Sequence, residues 1–304
     1  LDGKQGNARI FLAAPVSKNE LLEHFSNDIE IQNTVLWDPQ SESLKAREIQ
    51  SLGAVILNDM AISAPSADIL KTGFLSAIRQ RGIEQLPWSL QARTLCARVE
   101  LIRQHLLTDS PSNDQEHADL GATNKDSQAE NVTGNDWPDL SDKALLENLE
   151  KWLGPFIDGF RKLDQLRQLD FHQLLLNQLQ WQQQQQLEQW LPRHIQVPSG
   201  SHITIDYLSR KEPLLSVRIQ ELFGLQQTPT LLEGKLPVTI QLLSPAQRPI
   251  QVTRDLASFW ANTYVDVCKD LKGRYPKHYW PEDPYQAQAI RGTKKQLKRP
   301  PEKS

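Results

Sequence analysis

The chain has 304 residues, 38% of them hydrophobic and 23% charged, with a formal net charge of −3. That length suits roughly two to three domains, each able to bury a core of its own, while 34 Lys plus Arg against 37 Asp plus Glu exclude a uniform polycation. No apolar run is long enough to cross a bilayer, so no membrane partner is expected, and Cys96 and Cys268 lie far apart without a Cys-x-x-Cys context, which excludes a disulfide scaffold.

In chain order, ARIFLAAP, IEIQNTVLWDP, SLKAREIQ and GAVILNDM within residues 8–60 read as strands. Each joins β-branched residues to breakers such as Pro15, Pro39 and Gly53, with only 18–25 helical between them. Residues 1–64 are therefore a small β unit. A helical segment follows over 65–108, with Ile69, Leu70, Phe74 and Ile78 in one run, Leu95, Val99, Ile102 and Leu106 in the next, and Gly82 and Pro87 between them. Arg79, Arg81, Arg93, Arg98 and Arg103 along these helices form either a solvated face with i,i+4 ion pairs, which the pattern favours, or a phosphate-facing edge. Residues 109–135 are Asp, Asn, Ser, Gln and Gly with almost no large apolar side chain. They cannot offset the entropy of ordering and are expected to be a flexible acidic linker.

The next unit, 136–290, starts with Ser141 as helix N-cap, Asp142 in the first turn and Gly154-Pro155 as the stop, and Leu145, Leu149, Trp152 and Leu153 share one face. The Gln-rich stretch LDFHQLLLNQLQWQQQQQLEQWLP keeps Leu175, Leu179, Leu187 and Trp190 and reads as helices with Gln on the wet face. After Pro198-Ser199-Gly200 the period changes: SHITIDYL, PLLSVRI and LPVTIQLL read as strands, with a short helix over 218–224 between them. Thr253 is expected to cap a helix over 254–272. Its apolar stripe is Leu256, Phe259, Trp260, Val267 and Leu271, with Arg254, Ser258, Asn262, Asp266 and Lys269 opposite. Gly273 ends that helix, and 291–304 is a basic tail expected to be disordered. The predicted fold class is α+β: a small β unit with helices, an acidic linker, then a helical plus α+β unit.

Chemistry of the chain's own finds little support. The seven His residues form neither H-x-x-x-H nor a Cys/His cluster, so no metal site is expected. Ser199-Gly200-Ser201-His202 lacks the G-x-S-x-G elbow and reads as a turn. Asp206, Glu221 and Asp255 are isolated carboxylates, and no catalytic residue is assigned.

The richest stretch is RPIQVTRDLASFWANTYVDVCKDLKGRYPKHYWPEDP, residues 248–284, which sets Trp260, Tyr264, Tyr275, Tyr279 and Trp280 among basic groups. Residues 248–304 carry 12 basic and 6 acidic side chains. Cations pair with phosphates and flat aromatics stack on bases. The candidate nucleic-acid-binding residues are Arg254, Lys272, Arg274, Tyr275, Lys277, His278 and Trp280. The competing reading makes Trp260 a core anchor and KGRYPKHYWPEDP a Pro-braced surface loop, in a module that braces other domains or docks a protein.

In order along the chain, SHITIDY, LLSVRIQELFGL, LLSPAQRPIQVTRDLASFW and KGRYPKHYWPEDP resemble the C-terminal region of the HrpB family of bacterial DEAH-box ATP-dependent RNA helicases, closely from about residue 140 to 284. RIFLAAP, VLWDP, LGAVIL and LPWSLQARTLCARV look like what precedes that region in the family. The resemblance implies an OB-like character for 1–64, a cytoplasmic bacterial setting, RecA-like motor domains as partners, single-stranded RNA or DNA as substrate, and a possible protein partner. It also implies ATP and magnesium, but only for the motor. A motor needs G-x-x-x-x-G-K-[ST] and an Asp-Glu pair; here Gly3-Lys4 and Gly234-Lys235 lack the earlier glycine and are followed by Gln5 and Leu236, and no Asp-Glu dipeptide occurs. No cofactor is expected in this chain, which reads as the back part of a longer helicase, not catalytic alone.

Overall fold

The computed structural model describes residues 14–62, 65–108 and 137–298. The strand expected at ARIFLAAP up to residue 13, the acidic linker 109–135 and the end of the tail lie outside the described residues. The chain divides into two compact units, Leu1–Pro87 with Leu146–Leu169, and Trp88–Leu145 with Asp170–Ser304.

In the first unit, α1 (Lys18–His24) starts at a capping box. The Ser17 hydroxyl accepts from the Glu20 amide, while the Glu20 carboxylate accepts from the Ser17 amide at 2.8 Å. Strands β1 (Ile29–Asp38), β2 (Ser43–Leu52) and β3 (Val55–Ala61) form an antiparallel meander in the order β1-β2-β3, with Val35 opposite Ala46 and Arg47 opposite Ala61. Helix α2 (Ala67–Arg81) lies over β1 and buries Leu70, Phe74 and Ile78. The approach is close enough that a Cβ on Gly73 would sit 2.7 Å from Val35 Cγ1. The segment 146–169 completes this core with Leu149, Trp152, Leu153, Ile157 and Leu166. The Arg161 carbonyl accepts from the Leu44 amide at 2.8 Å, extending the sheet.

The contact grouping divides the chain elsewhere than the boundaries read from the sequence. The helical segment 65–108 is no unit of its own, because the apolar face of α2 covers the first sheet whereas that of the next helix, α3 (Leu90–Thr108), packs in the second unit. The domain expected over 136–290 likewise gives up 146–169 to the first unit, where Leu149 and Trp152 find their partners.

In the second unit α3 packs on α4 (Phe171–Leu176), which Asp170 caps, and α5 (Trp181–Trp190) follows. The Gln run is mostly solvated, but Gln183 is buried and its side-chain oxygen accepts from the Gln180 amide at 2.8 Å, so one glutamine is structural. Strands β4 (His194–Gln196), β5 (His202–Asp206), β6 (Leu214–Arg218), β7 (Thr239–Leu243) and β8 (Pro249–Thr253) form a sheet ordered β8-β7-β6-β5-β4. Only β6 and β7 run parallel, and the crossover between them holds the tight helical turn Ile219–Glu221. Ile205, Leu215, Val217, Ile240 and Leu242 supply the buried face.

Helix α6 (256–274) follows as Leu256–Ser258, a wider π-turn Phe259–Thr263, and Tyr264–Arg274. Its N-cap is Asp255, whose carboxylate accepts from the Ser258 amide at 2.9 Å. The expected cap, Thr253, ends β8 and bonds the backbone of Asp255 instead. The helix also runs one residue past Gly273.

Candidate nucleic-acid interface

The aromatic residues at the end of the chain form a core before they form a surface. Phe223, fully buried, has the rings of Trp260, Tyr264 and Tyr279 each 6.0 Å away, two of them edge-on. The polar tip of each large ring finds a backbone carbonyl. Trp260 Nε1 donates to Leu225 O at 2.8 Å, Tyr264 Oη to Pro281 O at 2.8 Å, and Trp280 Nε1 to Tyr275 O at 3.0 Å. Burial pushes the Tyr264 phenol pKa upward, so it stays a neutral donor. Trp260 and Tyr264, four residues apart on one face of the helix, stand side by side with ring centroids 5.3 Å apart.

Trp280 therefore leaves the set of base-stacking candidates. It is 8% exposed, and a base cannot reach a face already packed. His278 leaves the set of cations. Burial first, and then the charge of Arg218, hold its pKa below the ordinary value against a bond to the Gly292 backbone, and its Nδ1 lies 3.2 Å from the Gln220 amide. A neutral imidazole tied in this way braces the loop. Arg254 stands apart from the others. It precedes the N-terminus of α6, whereas Lys272 lies in the last turn of that helix, and it pairs with Glu212 at 2.9 Å.

What the structure does bring together is Lys272, Arg274 and Lys277, all exposed around the end of α6, with Tyr275 half-buried among them. Arg274 meets Asp270 at 3.2 Å, but both groups are well solvated, so the pair is weak and open to exchange. The five arginines of α2 and α3 are committed elsewhere: Arg79 to Glu150, Arg81 to Glu42, Arg93 to Asp142, Arg98 to Glu188, and Arg103 to Glu100 and Asp139. They are structural, though mostly through partners distant in sequence instead of i,i+4 neighbours. Arg98 is 1% exposed and donates to the carbonyls of Leu187, in the last turn of α5, and Leu191, its C-cap.

Sequence reasoning missed the residues facing this edge from other strands and loops. Gln220 and Glu221, both buried, tie three segments together. The Gln220 carbonyl accepts from the Ile290 amide, and the Glu221 carboxylate accepts from Ser199 Oγ at 3.0 Å and Arg218 Nε at 2.8 Å. Ser199 thus serves a turn, as its sequence context suggests, in which Gly200 takes a φ of 77°. No local signal links residues 199, 220 and 290. Two clefts of about 550 and 430 Å³ meet at Arg193 and His194, but Glu188 and Asp206 on their walls suit them poorly to phosphate. No described helix is long and apolar enough to cross a membrane.

Fold and sequence together define a class. Residues 152–284 match the family described as "ATP-dependent helicase C-terminal", so this part of the chain is similar to the C-terminal domain of ATP-dependent helicases. It is 38% identical over 289 residues to the ATP-dependent RNA helicase HrpB of Escherichia coli K12, a match covering 95% of this chain and 32% of that protein. The crystal structure of the E. coli DExH-box NTPase HrpB superposes with a TM-score of 0.64 at 37% identity, over 95% of this chain and 33% of that one. A second crystal structure, of the E. coli DEAH/RHA helicase HrpB, gives 0.58 at 36% identity over 83% and 29%. The chain therefore spans about a third of the length of the relatives it matches, with the α+β architecture they share.

Proposed function

We propose that this accessory region guides a single strand of RNA for an ATP-dependent helicase, holding backbone phosphates along Lys272, Arg274 and Lys277 while RecA-like domains hydrolyse ATP with magnesium. The observation that carries this reading is the grouping of three exposed cations on a rigid aromatic base. RNA is the substrate in this reading because the similar E. coli protein is named an RNA helicase. Tyr275, half-buried beside these cations, is the aromatic left to touch a base.

The test is fluorescence anisotropy with labelled single-stranded RNA at about 50 and 200 mM salt. Three phosphate contacts on a single strand give a slope near 0.7 per contact, so affinity should fall about 20-fold over that range. K272A/R274A/K277A should bind weakly and lose most of this dependence. A second reading, in which the region braces the motor domains or docks a protein, is favoured by the burial of Trp260, Tyr264 and Trp280, which removes the main stacking faces. Absent or salt-insensitive RNA binding would select it.

A further inference from the structure

We propose that the phosphate path continues off the end of α6 onto a seat formed by Arg218, Lys277, Arg291 and Lys294, a surface that contacts the sugar–phosphate backbone and is blind to the bases. This rests on the strand-guiding reading and extends it to residues contributed by three separate chain segments.

A closed circuit of contacts establishes the seat. The Lys294 amide donates to the Lys277 carbonyl at 3.2 Å, which sets those two residues side by side. Arg291 Nε donates to Ser199 O at 3.2 Å, and its guanidinium lies where a Cβ on Gly200 would be 3.1 Å away. Ser199 is joined through Glu221 to Arg218, and the side-chain nitrogen of Gln220, next to Glu221, lies 3.2 Å from His278 Nδ1, which returns the circuit to Lys277. Lys277, Arg291 and Lys294 are exposed, while the Arg218 side chain is 31% exposed. The one carboxylate within the circuit, Glu221, is buried and already accepts two hydrogen bonds. It fixes Arg218 without offering an acidic group to solvent, so the outward charge is positive.

The chemistry of this seat selects its ligand. Guanidinium and ammonium groups without an open aromatic face recognise anionic oxygens, and cations spaced along a ridge match the repeated charge of a phosphodiester chain. His278, held neutral, adds no charge. Trp280 is packed into the core, and Tyr275, half-buried at the end of α6 with its ring 6.1 Å from that of His278, belongs to the preceding part of the path, so the four cations of the seat supply no stacking face of their own.

The test compares R291A/K294A with K272A/R274A/K277A, using labelled oligo-U and oligo-A across the same salt series. R218A is avoided because it would strand the buried Glu221 carboxylate, and R218K with R291A/K294A serves as the conservative third variant. R291A/K294A should lower the salt slope by about 1.4, at 0.7 per cation, and weaken oligo-U and oligo-A by the same factor, with an unchanged thermal unfolding midpoint. An unchanged slope in R291A/K294A, while the α6-end variant still loses binding, would overturn the seat and leave the guiding reading standing. Loss confined to one of the two homopolymers would overturn its base-blindness. No effect in either variant would overturn both readings.

Discussion

Trp280 separates a structural role from a nucleic-acid role most cleanly. It is 8% exposed, and its indole nitrogen donates to the Tyr275 carbonyl at 3.0 Å, fixing the loop that carries Lys277. Replacement by Ala removes a buried indole, a change that costs about 3–5 kcal/mol in well-packed sites. Replacement by Phe keeps most of the apolar area and deletes the hydrogen bond, worth about 0.5–1.5 kcal/mol. Tyr275 is half-buried, so its freed carbonyl can reach water and the cost of W280F should stay near 1 kcal/mol. A stacking residue would behave oppositely, losing about 1–3 kcal/mol of binding per base at unchanged stability. Urea unfolding and RNA anisotropy on both variants decide the matter. The expected result is a destabilised W280A and a mildly destabilised W280F that binds RNA with wild-type affinity. A W280F protein of wild-type stability with fivefold weaker binding would refute the burial argument.

Arg98→Met should cost about 3 kcal/mol in urea unfolding, because it keeps volume but strips the carbonyls of Leu187 and Leu191 of a buried charged donor. Loss below 1 kcal/mol would mean that water replaces it. Gly73→Ala should destabilise the first unit even though Ala is the better helix former by about 1 kcal/mol, since its Cβ would lie 2.7 Å from Val35 Cγ1; adding Val35→Ala should recover part of the loss in a double-mutant cycle. Stability should fall from pH 7.5 to 5.5. His172 and His278 both have pKa values held below the ordinary value, chiefly by burial, so the unfolded chain takes up protons first as pH drops through 6.5. His278→Asn, which keeps an acceptor for the Gln220 amide, should shrink that slope in unfolding measured across the range.

Local periodicity carried most of the secondary structure. The runs around Phe74, Val99, Leu187 and Val217 became elements where expected, because a 3.6- or 2-residue repeat states which face must be buried. Partnership between faces was not legible. Leu149 and Trp152 read as the start of the C-terminal domain, yet they pack in the unit that holds the first sheet, and nothing local distinguishes one apolar partner from another. The candidate site was only partly legible for a related reason. Aromatic and basic residues interleaved over 248–284 have the composition of an interface and also of a core edge. The ring contacts of Phe223, absent from the candidate set, show that Tyr264 faces inward beside Trp260, which the apolar stripe had already placed there. The seat at Arg218 and Arg291 depends on the buried pair Gln220 and Glu221, whose bonds join residues about 20 to 70 positions apart.

Burial of the aromatics has a consequence for how such a region would serve a motor. A strand gripped by stacking must break a contact worth about 1–3 kcal/mol for each base that moves, so several stacked bases would resist the advance they are meant to accompany. Exposed Lys and Arg groups meet an identical phosphate after every one-nucleotide shift, and each contact is solvated and readily exchanged. Lys272, Arg274 and Lys277, joined by Arg291 and Lys294, would keep the strand near without fixing its register. The Phe223 cluster meanwhile holds the loop bearing Lys277 rigid, which concentrates the flexibility in the cationic side chains themselves. On this argument, introducing a stacking surface by Lys277→Trp should tighten RNA binding at high salt and slow unwinding by the intact helicase. Faster unwinding with tighter binding would refute the sliding argument.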